Sequence, residues 1–198
     1  MTHALHFLFA ACAAVSLAGC CSCGPCRVPP QPLQNENQGM ETIQPKTIER
    51  EAFSVVGIRR TTPNAGGTWG VVKSDAEISK QIVDVSGRFF NLGLCFGFKE
   101  NGANDYMCAV EWTGDTPEGF DRWDYPAMAW LVFDAVGKIS DGPLFKVWQH
   151  INGEHLPQNK LEKMNATIEK YVEWDEANDH CNVEIWIPIA VKNETTRN

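Results

Sequence analysis

One glutamate stands in a segment whose pattern otherwise predicts a half-buried β-strand. In residues 167–174, TIEKYVEW, side chains alternate between two faces, so Glu169 and Tyr171 share one face and Trp174 lies on the other. A carboxylate on a wet face costs little, whereas one in an aromatic cleft is costly unless a positive charge pairs with it. Glu169 is therefore a candidate for binding a cation. A solvated strand face and a salt bridge to a lysine are the alternatives.

The composition limits the class of protein. The chain has 198 residues, a hydrophobic fraction of 43% and 7 Trp, which suits one domain with a packed core and a short appendage. Its formal charge of −8 disfavours nucleic acid as a partner, because phosphate binding needs clustered Lys and Arg.

The N-terminus has the pattern of an exported lipoprotein. Residues 4–18 form an apolar run that is too short for a membrane span, and LAGC at residues 17–20 resembles a bacterial lipobox. We expect a signal peptide over residues 1–19 and an acyl anchor on Cys20, which attaches the protein to a periplasm-facing membrane of the cell envelope. Because no Lys or Arg precedes the apolar run, an uncleaved or wrongly assigned N-terminus is the alternative.

Composition divides the remainder of the chain. Residues 20–48 are rich in Cys, Pro, Gln and Asn and predict a disordered tether. A folded domain is expected over residues 49–192, with a tail over residues 193–198.

A cysteine cluster in the tether has the sequence CGPC, from Cys23 to Cys26, which resembles the thioredoxin redox motif. That motif needs a preceding strand and a following helix, and prolines at 29 and 30 block a helix here. A disulfide or an idle thiol cluster is favoured. Metal binding by Cys21, Cys23 and Cys26 lacks a fourth ligand nearby, so we predict no metal and no cofactor.

Two further cysteines flank a predicted hairpin. Asn101-Gly102 is the dipeptide that type I′ turns prefer, and a two-residue turn there pairs Cys95 with Cys108. Such a pair is close enough for a disulfide in an exported protein. Two buried free thiols are the alternative, because a slip of one residue in the turn removes the pairing.

An internal repeat predicts the fold. ANDYMCAVEW at residues 103–112 recurs as ANDHCNVEIW at residues 177–186, and the elements around the two copies repeat as well. The predicted first half has strands at 53–61, 89–98 and 106–112 and a helix at 68–83, and the second half has strands at 127–133, 167–174 and 182–189 and a helix at 143–153. Each half is a βαββ unit. We predict an α+β fold in which this tandem βαββ repeat forms a curved antiparallel sheet, with helices packed on it and a central pocket.

The order of these elements resembles the GyrI-like small-molecule-binding domain, also called the AraC effector-binding domain, over residues 53–190. The similarity rests on Tyr125-Pro126-Ala127 before a strand, on residues 148–159, and on Ile168-Glu169-Lys170-Tyr171. The family usually has an aromatic residue where this chain has His155.

The resemblance implies that Glu169 projects into the central pocket and attracts cationic, aromatic ligands. Trp and Tyr faces would add cation–π attraction. Four aromatic residues are the expected ligand-binding wall, with plain core packing as the alternative for each: Tyr171, Tyr106, Trp69 and Trp148.

The function expected from these features is a membrane-anchored protein that binds or sequesters an apolar or cationic aromatic compound. The first alternative is a hydrolase of reactive electrophiles, with Glu169 as the base and Tyr171 as the proton donor. The second is a haem-binding protein similar to the SOUL group, with a histidine ligand. Binding rather than catalysis is favoured, because the sequence contains no nucleophile–base pair.

Overall fold

The fold is seen in a computed structural model that describes residues 43–189 of the chain. The predicted signal peptide, lipidation of Cys20, most of the tether with its cysteine cluster, and the C-terminal tail lie outside the described residues. The first described strand begins at Lys46, three residues before the expected start of the domain at residue 49.

The described residues form eight strands and four helices. The strands are β1 (Lys46–Arg50), β2 (Phe53–Thr62), β3 (Leu92–Phe98), β4 (Asn104–Glu111), β5 (Asp121–Tyr125), β6 (Met128–Gly137), β7 (Thr167–Asp175) and β8 (His180–Ile189). The helices are α1 (Ala65–Ser74), α2 (Ala76–Ser86), α3 (Pro143–His150) and α4 (Leu156–Asn159). None of these helices is long and apolar enough to cross a membrane.

All eight strands pair antiparallel in one curled sheet with the order β1-β6-β8-β7-β3-β4-β2-β5. The order is symmetric about the contact between β7 and β3, so each half supplies one inner strand and the two halves meet there. The predicted α+β fold of two βαββ units in a curved sheet is confirmed. Strands β1 and β5 were not predicted, because each is a short, charged edge strand without an apolar alternation.

The predicted helix over residues 68–83 is two helices. Asp75 ends α1 and caps α2, and its carboxylate accepts hydrogen bonds from the backbone N–H groups of Glu77 and Ile78. A side chain that satisfies free N–H groups favours a new helix start over continuation of the old helix.

The second predicted helix extends six residues beyond its expected end at residue 153. A π-helical turn at Ile151–His155 joins α3 to α4, and the chain remains helical to Asn159. Pro143 occupies the first turn of α3, as expected, and Val147 and Ile151 are buried on its apolar side.

The predicted disulfide is wrong, because the β3–β4 register differs from that of a regular two-residue hairpin. Cys95 faces Tyr106, and Cys108 faces Gly93. An irregularity between Cys95 and Gly97 shifts the pairing, and both cysteines are free thiols. A hairpin register depends on such a bulge as well as on the turn dipeptide.

The core has three apolar clusters. One packs the first half of the sheet against α1 and α2, around Val56, Val72 and Ile82. A second packs the other half against α3 and α4, around Phe133 and Ile185. The third lies on the opposite side of the sheet and consists almost wholly of strand residues.

Candidate functional site

Glu169 lies on β7 at the junction of the two halves. Its backbone pairs with Gly93 of β3 on one side and with Ile185 of β8 on the other. The residue is 7% exposed, so the solvated strand face that the sequence left open does not occur. A buried carboxylate needs hydrogen-bond donors or a cation.

Three neutral donors satisfy this carboxylate. Oε2 accepts hydrogen bonds from the hydroxyls of Tyr106, at 2.5 Å, and of Tyr171, at 3.0 Å. Oε1 accepts a hydrogen bond of 2.7 Å from the indole Nε1 of Trp148. Hydrogen bonds to a charged acceptor are stronger than those between neutral groups, which allows the glutamate to be buried.

A fourth aromatic residue supports this arrangement from α1. Trp69 donates a hydrogen bond of 3.2 Å from Nε1 to the Tyr106 hydroxyl. The Trp69 ring also packs edge-on against Tyr171, with 5.0 Å between ring centroids. The structure therefore brings together all five residues that the sequence selected, in one hydrogen-bonded group around Glu169.

Tyr106 reaches the carboxylate across an intervening strand. It lies on β4, Glu169 lies on β7, and β3 runs between them. Gly93 on β3 is directly beneath the path, and a Cβ atom at this position would overlap the Tyr106 hydroxyl. The bond therefore requires glycine here. Gly93 was not predicted from the sequence, because its role depends on the pairing of three strands and leaves no local pattern.

Both site tyrosines are held in the neutral form. Burial raises the pKa of Tyr106 well above its ordinary range, and the charge of Glu169 raises it further. The same two causes raise the pKa of Tyr171. Each phenol is therefore a stable hydrogen-bond donor to the carboxylate.

A β-bulge at Val172 alters the alternation of β7. Tyr171 pairs with Val183, and Trp174 pairs with Cys181, so both aromatic rings lie on one face. Their ring centroids are 5.7 Å apart. The expectation that Trp174 lies opposite Tyr171 is wrong, because the extra residue in the bulge changes the face of the residues after it.

An apolar groove lies against Trp148. It has a volume of about 310 Å³, and Trp148 forms part of its wall while its Nε1 bonds Glu169. The groove is lined by Ile139, Gly142, Pro143, Leu144, Phe145, Trp148, Trp174 and Cys181. Trp148 thus contacts the Glu169 carboxylate through its Nε1 and also lines the apolar groove.

No cationic side chain among residues 43–189 pairs with Glu169 within 4.0 Å. The nearest lysine in sequence, Lys170, points to the other side of the sheet and pairs with Glu184 at 3.0 Å. Lys163 lies closer to the site, with its Nζ 5.0 Å from the centroid of the Trp148 ring. The salt-bridge alternative therefore does not describe Glu169.

The histidines of the described part lie elsewhere. His150 and His155 pack around Phe133 at the π-helical turn, and His180 lies 3.6 Å from Glu173. Within residues 43–189 there is no group of three His, Cys, Asp or Glu side chains that could hold a metal ion. The chemistry available at Glu169 is thus that of one buried carboxylate surrounded by aromatic rings.

Comparison with known proteins assigns the chain to a family. The family described as integron-associated effector-binding proteins matches residues 46–189, and the chain belongs to it. This family is GyrI-like, so the resemblance seen in the sequence is confirmed.

Solved structures share the fold. SAV2435 bound to tetraphenylphosphonium is similar, with 20% identity, a TM-score of 0.58, and coverage of 75% of this chain and 94% of that one. The EcmrR C-terminal domain has 14% identity, a TM-score of 0.53, and coverage of 75% and 98%. An integron cassette protein of Vibrio cholerae has 16% identity, a TM-score of 0.51, and coverage of 74% and 96%. A comparison with curated proteins gave no match.

Proposed function

We propose that this protein binds lipophilic, cationic aromatic compounds at Glu169. The observation that carries this proposal is a buried carboxylate whose hydrogen-bond donors are all neutral and which has no cationic partner within 4.0 Å among residues 43–189. A permanent cation would supply the missing positive charge, and burial strengthens that attraction because the local dielectric constant is low.

The aromatic residues around the carboxylate suit the remainder of such a ligand. Tyr106, Tyr171, Trp69 and Trp148 offer ring faces for cation–π contact and apolar packing. The groove beside Trp148 offers further apolar surface. The family is one of effector-binding proteins, and the relative SAV2435 has been solved with a phosphonium cation that carries four aromatic rings.

The site is closed by its own hydrogen bonds. Trp148 and Tyr171 are only partly buried, so they are the donors of Glu169 that can move aside at the lowest cost. Tyr106 is fully buried and remains in place as a fixed donor. Ligand entry therefore replaces one or two neutral donors by a positive charge.

A thermal-shift screen tests the proposal. Tetraphenylphosphonium should raise the melting temperature of the wild type, because a ligand that binds only the folded state stabilises it. The shift should be largely lost in Glu169→Gln and retained in Glu173→Gln, which removes the same charge from an exposed position of β7. Equal shifts in the wild type and Glu169→Gln would show that Glu169 does not bind the cation.

Catalysis by the same glutamate is the competing function. Three hydrogen bonds already occupy most of the lone-pair sites of the carboxylate, so a water that it activates must take a remaining site or displace one of these donors. Turnover of electrophilic substrates that disappears in Glu169→Gln and is retained in Glu173→Gln would establish a hydrolase.

We further propose that the protein acts while anchored to a membrane of the cell envelope through Cys20. Support comes from the apolar run at residues 4–18 and the LAGC sequence that follows it. Metabolic labelling with a radioactive fatty acid should mark the wild type and Cys21→Ala but not Cys20→Ala. Labelling of Cys20→Ala would contradict this proposal.

A further inference from the structure

Within residues 43–189, the ammonium of Lys163 lies over an aromatic ring of the site. Lys163 lies between the end of α4 and the start of β7, and its Nζ is 5.0 Å from the centroid of the Trp148 ring. The same indole donates its Nε1 hydrogen bond to Glu169 at 2.7 Å. The Trp148 side chain therefore contacts both the Lys163 ammonium and the Glu169 carboxylate.

Lys163 is not the counter-ion of that carboxylate, because no nitrogen–oxygen distance between Lys163 and Glu169 is within 4.0 Å. Lys170 provides a contrast. It too lies over a tryptophan, with its Nζ 5.3 Å from the Trp186 ring centroid, but it is also paired with Glu184 at 3.0 Å. Among residues 43–189, Lys163 has no acidic partner within 4.0 Å, so it differs from Lys170 in contacting an aromatic face without an ion pair.

The charge of the Lys163 ammonium affects the pKa of a thiol inside the site. Desolvation lowers the pKa of Lys163 itself. Burial raises the pKa of the Cys95 thiol and a backbone hydrogen bond at Gly97 lowers it; the smaller effects include the charge of Glu169, which raises this pKa, and the charge of Lys163, which lowers it. Cys95 faces Tyr106 on the adjacent strand, so the thiol senses both charges from inside the site.

We propose that Lys163 is a specificity-determining residue whose ammonium occupies the Trp148 face and competes there with the cation of the ligand. This inference rests on the proposed function and deepens it. A cationic ligand that approaches Glu169 along Trp148 meets a positive charge first and must displace it. The lysine side chain is long and only partly covered, so it can move fully into solvent, and its displacement weakens binding without preventing it.

Glu169 and Lys163 should therefore have opposite effects on the affinity for charged ligands. Glu169 favours cations, and Lys163 favours anions and disfavours cations on the same indole. Removal of Lys163 should therefore change the affinity of cations and anions in opposite directions, whereas a purely steric role would change both in the same direction. Two ligands of the same shape and opposite charge, tetraphenylphosphonium and tetraphenylborate, distinguish these cases.

The test is titration calorimetry of the full chain with both ions, for the wild type, Lys163→Met and the control Lys170→Met. Methionine retains much of the apolar stem of lysine and removes its charge. Lys163→Met should bind tetraphenylphosphonium about three- to fivefold more tightly, the range expected for an exposed cation–π contact, and tetraphenylborate more weakly. Lys170→Met should match the wild type, because its ammonium lies on the other side of the sheet.

Unchanged or weaker binding of the phosphonium by Lys163→Met, or shifts of the same sign for both ions, would overturn the inference. Loss of phosphonium binding in Glu169→Gln with no effect of Lys163→Met would overturn it while leaving the proposed function intact. Equal binding by the wild type and Glu169→Gln would instead overturn the proposed function.

A second measurement needs no ligand. The rate at which an alkylating reagent modifies Cys95, followed by peptide mass spectrometry at neutral pH, should fall in Lys163→Met because the thiolate fraction falls. Lys170→Met should leave the rate unchanged. An unchanged rate in Lys163→Met would show that the ammonium does not act on the site.

Discussion

The hydroxyl of Tyr106 lies 2.5 Å from Oε2 of Glu169, although the two residues belong to strands that are not neighbours in the sheet. Strand β3 separates them, and the absence of a side chain at Gly93 leaves the path open. The bond joins the first half of the fold to the second. The hydrogen bond between Tyr106 and Glu169 therefore depends on Gly93, because any side chain at this position would overlap the Tyr106 hydroxyl.

Gly93→Ala should break this bond. The new methyl group would overlap the Tyr106 hydroxyl, so the phenol must move and the carboxylate loses its shortest hydrogen bond. We expect a loss of about 1–3 kcal/mol in the free energy of unfolding, as in other overpacked cores. Urea denaturation measures this loss.

Gly70→Ala is the matched control for that substitution. Gly70 lies in α1, and a Cβ atom there meets nothing within 4 Å. Because alanine favours helix over glycine, this variant should be as stable as the wild type or more stable by up to about 1 kcal/mol. Equal stability of Gly93→Ala and the wild type would contradict the geometry assigned to Tyr106.

The two tyrosines on Glu169 should differ in their contribution to stability. Tyr106→Phe removes the donor at 2.5 Å from a fully buried position and also leaves Nε1 of the partly buried Trp69 without its acceptor. We expect it to cost about 2 kcal/mol, within the range for hydrogen bonds to charged groups. Tyr171→Phe removes a longer bond at a partly buried position and should cost about 1 kcal/mol or less.

Denaturation of both variants under one set of conditions makes this comparison. The reverse order, with Tyr171→Phe the more destabilising, would indicate that Tyr171 rather than Tyr106 is the fixed donor.

Alkaline titration tests the burial of the site. The chain has 3 Tyr, and burial raises the pKa of Tyr106, Tyr125 and Tyr171 alike. Because folding raises each pKa, the resulting stabilisation is complete below the ordinary tyrosine pKa of about 10 and is lost as the pH rises through the folded values. Stability should therefore fall above about pH 10.

The absorbance of the phenolate band measures the ionisation of the three tyrosines directly. We expect little phenolate signal near pH 10 while circular dichroism shows a folded protein, and a cooperative rise of the signal when the protein unfolds at higher pH. Ionisation of one or more tyrosines near pH 10 in the folded protein would contradict a closed site.

The sequence predicted most of the sheet and the composition of the site, for identifiable reasons. Period-two alternation placed Glu169 and Tyr171 on one face, and the repeat of residues 103–112 and 177–186 placed Tyr106 on the strand equivalent to β8. The choice of Trp69 and Trp148 came from resemblance to a family, because helical spacing alone cannot distinguish a site residue from a core residue.

The features that the sequence did not predict are those set by long-range pairing. The bulge at Val172 moves Trp174 to the site face, and no Gly or Pro marks it. The irregularity after Cys95 removes the expected pairing with Cys108. Lys163 lies in a loop without periodicity, so its contact with Trp148 follows only from the three-dimensional path of the chain.

Cation binding by Glu169 can be measured as the affinity for tetraphenylphosphonium, by titration calorimetry of the wild type, Glu169→Gln and Glu173→Gln. We predict that Glu169→Gln binds at least tenfold more weakly, a loss of about 1.4 kcal/mol or more, while Glu173→Gln binds as the wild type does. Equal dissociation constants for all three proteins, or an equal loss in both variants, would contradict the assignment of Glu169 as the residue that binds the cation.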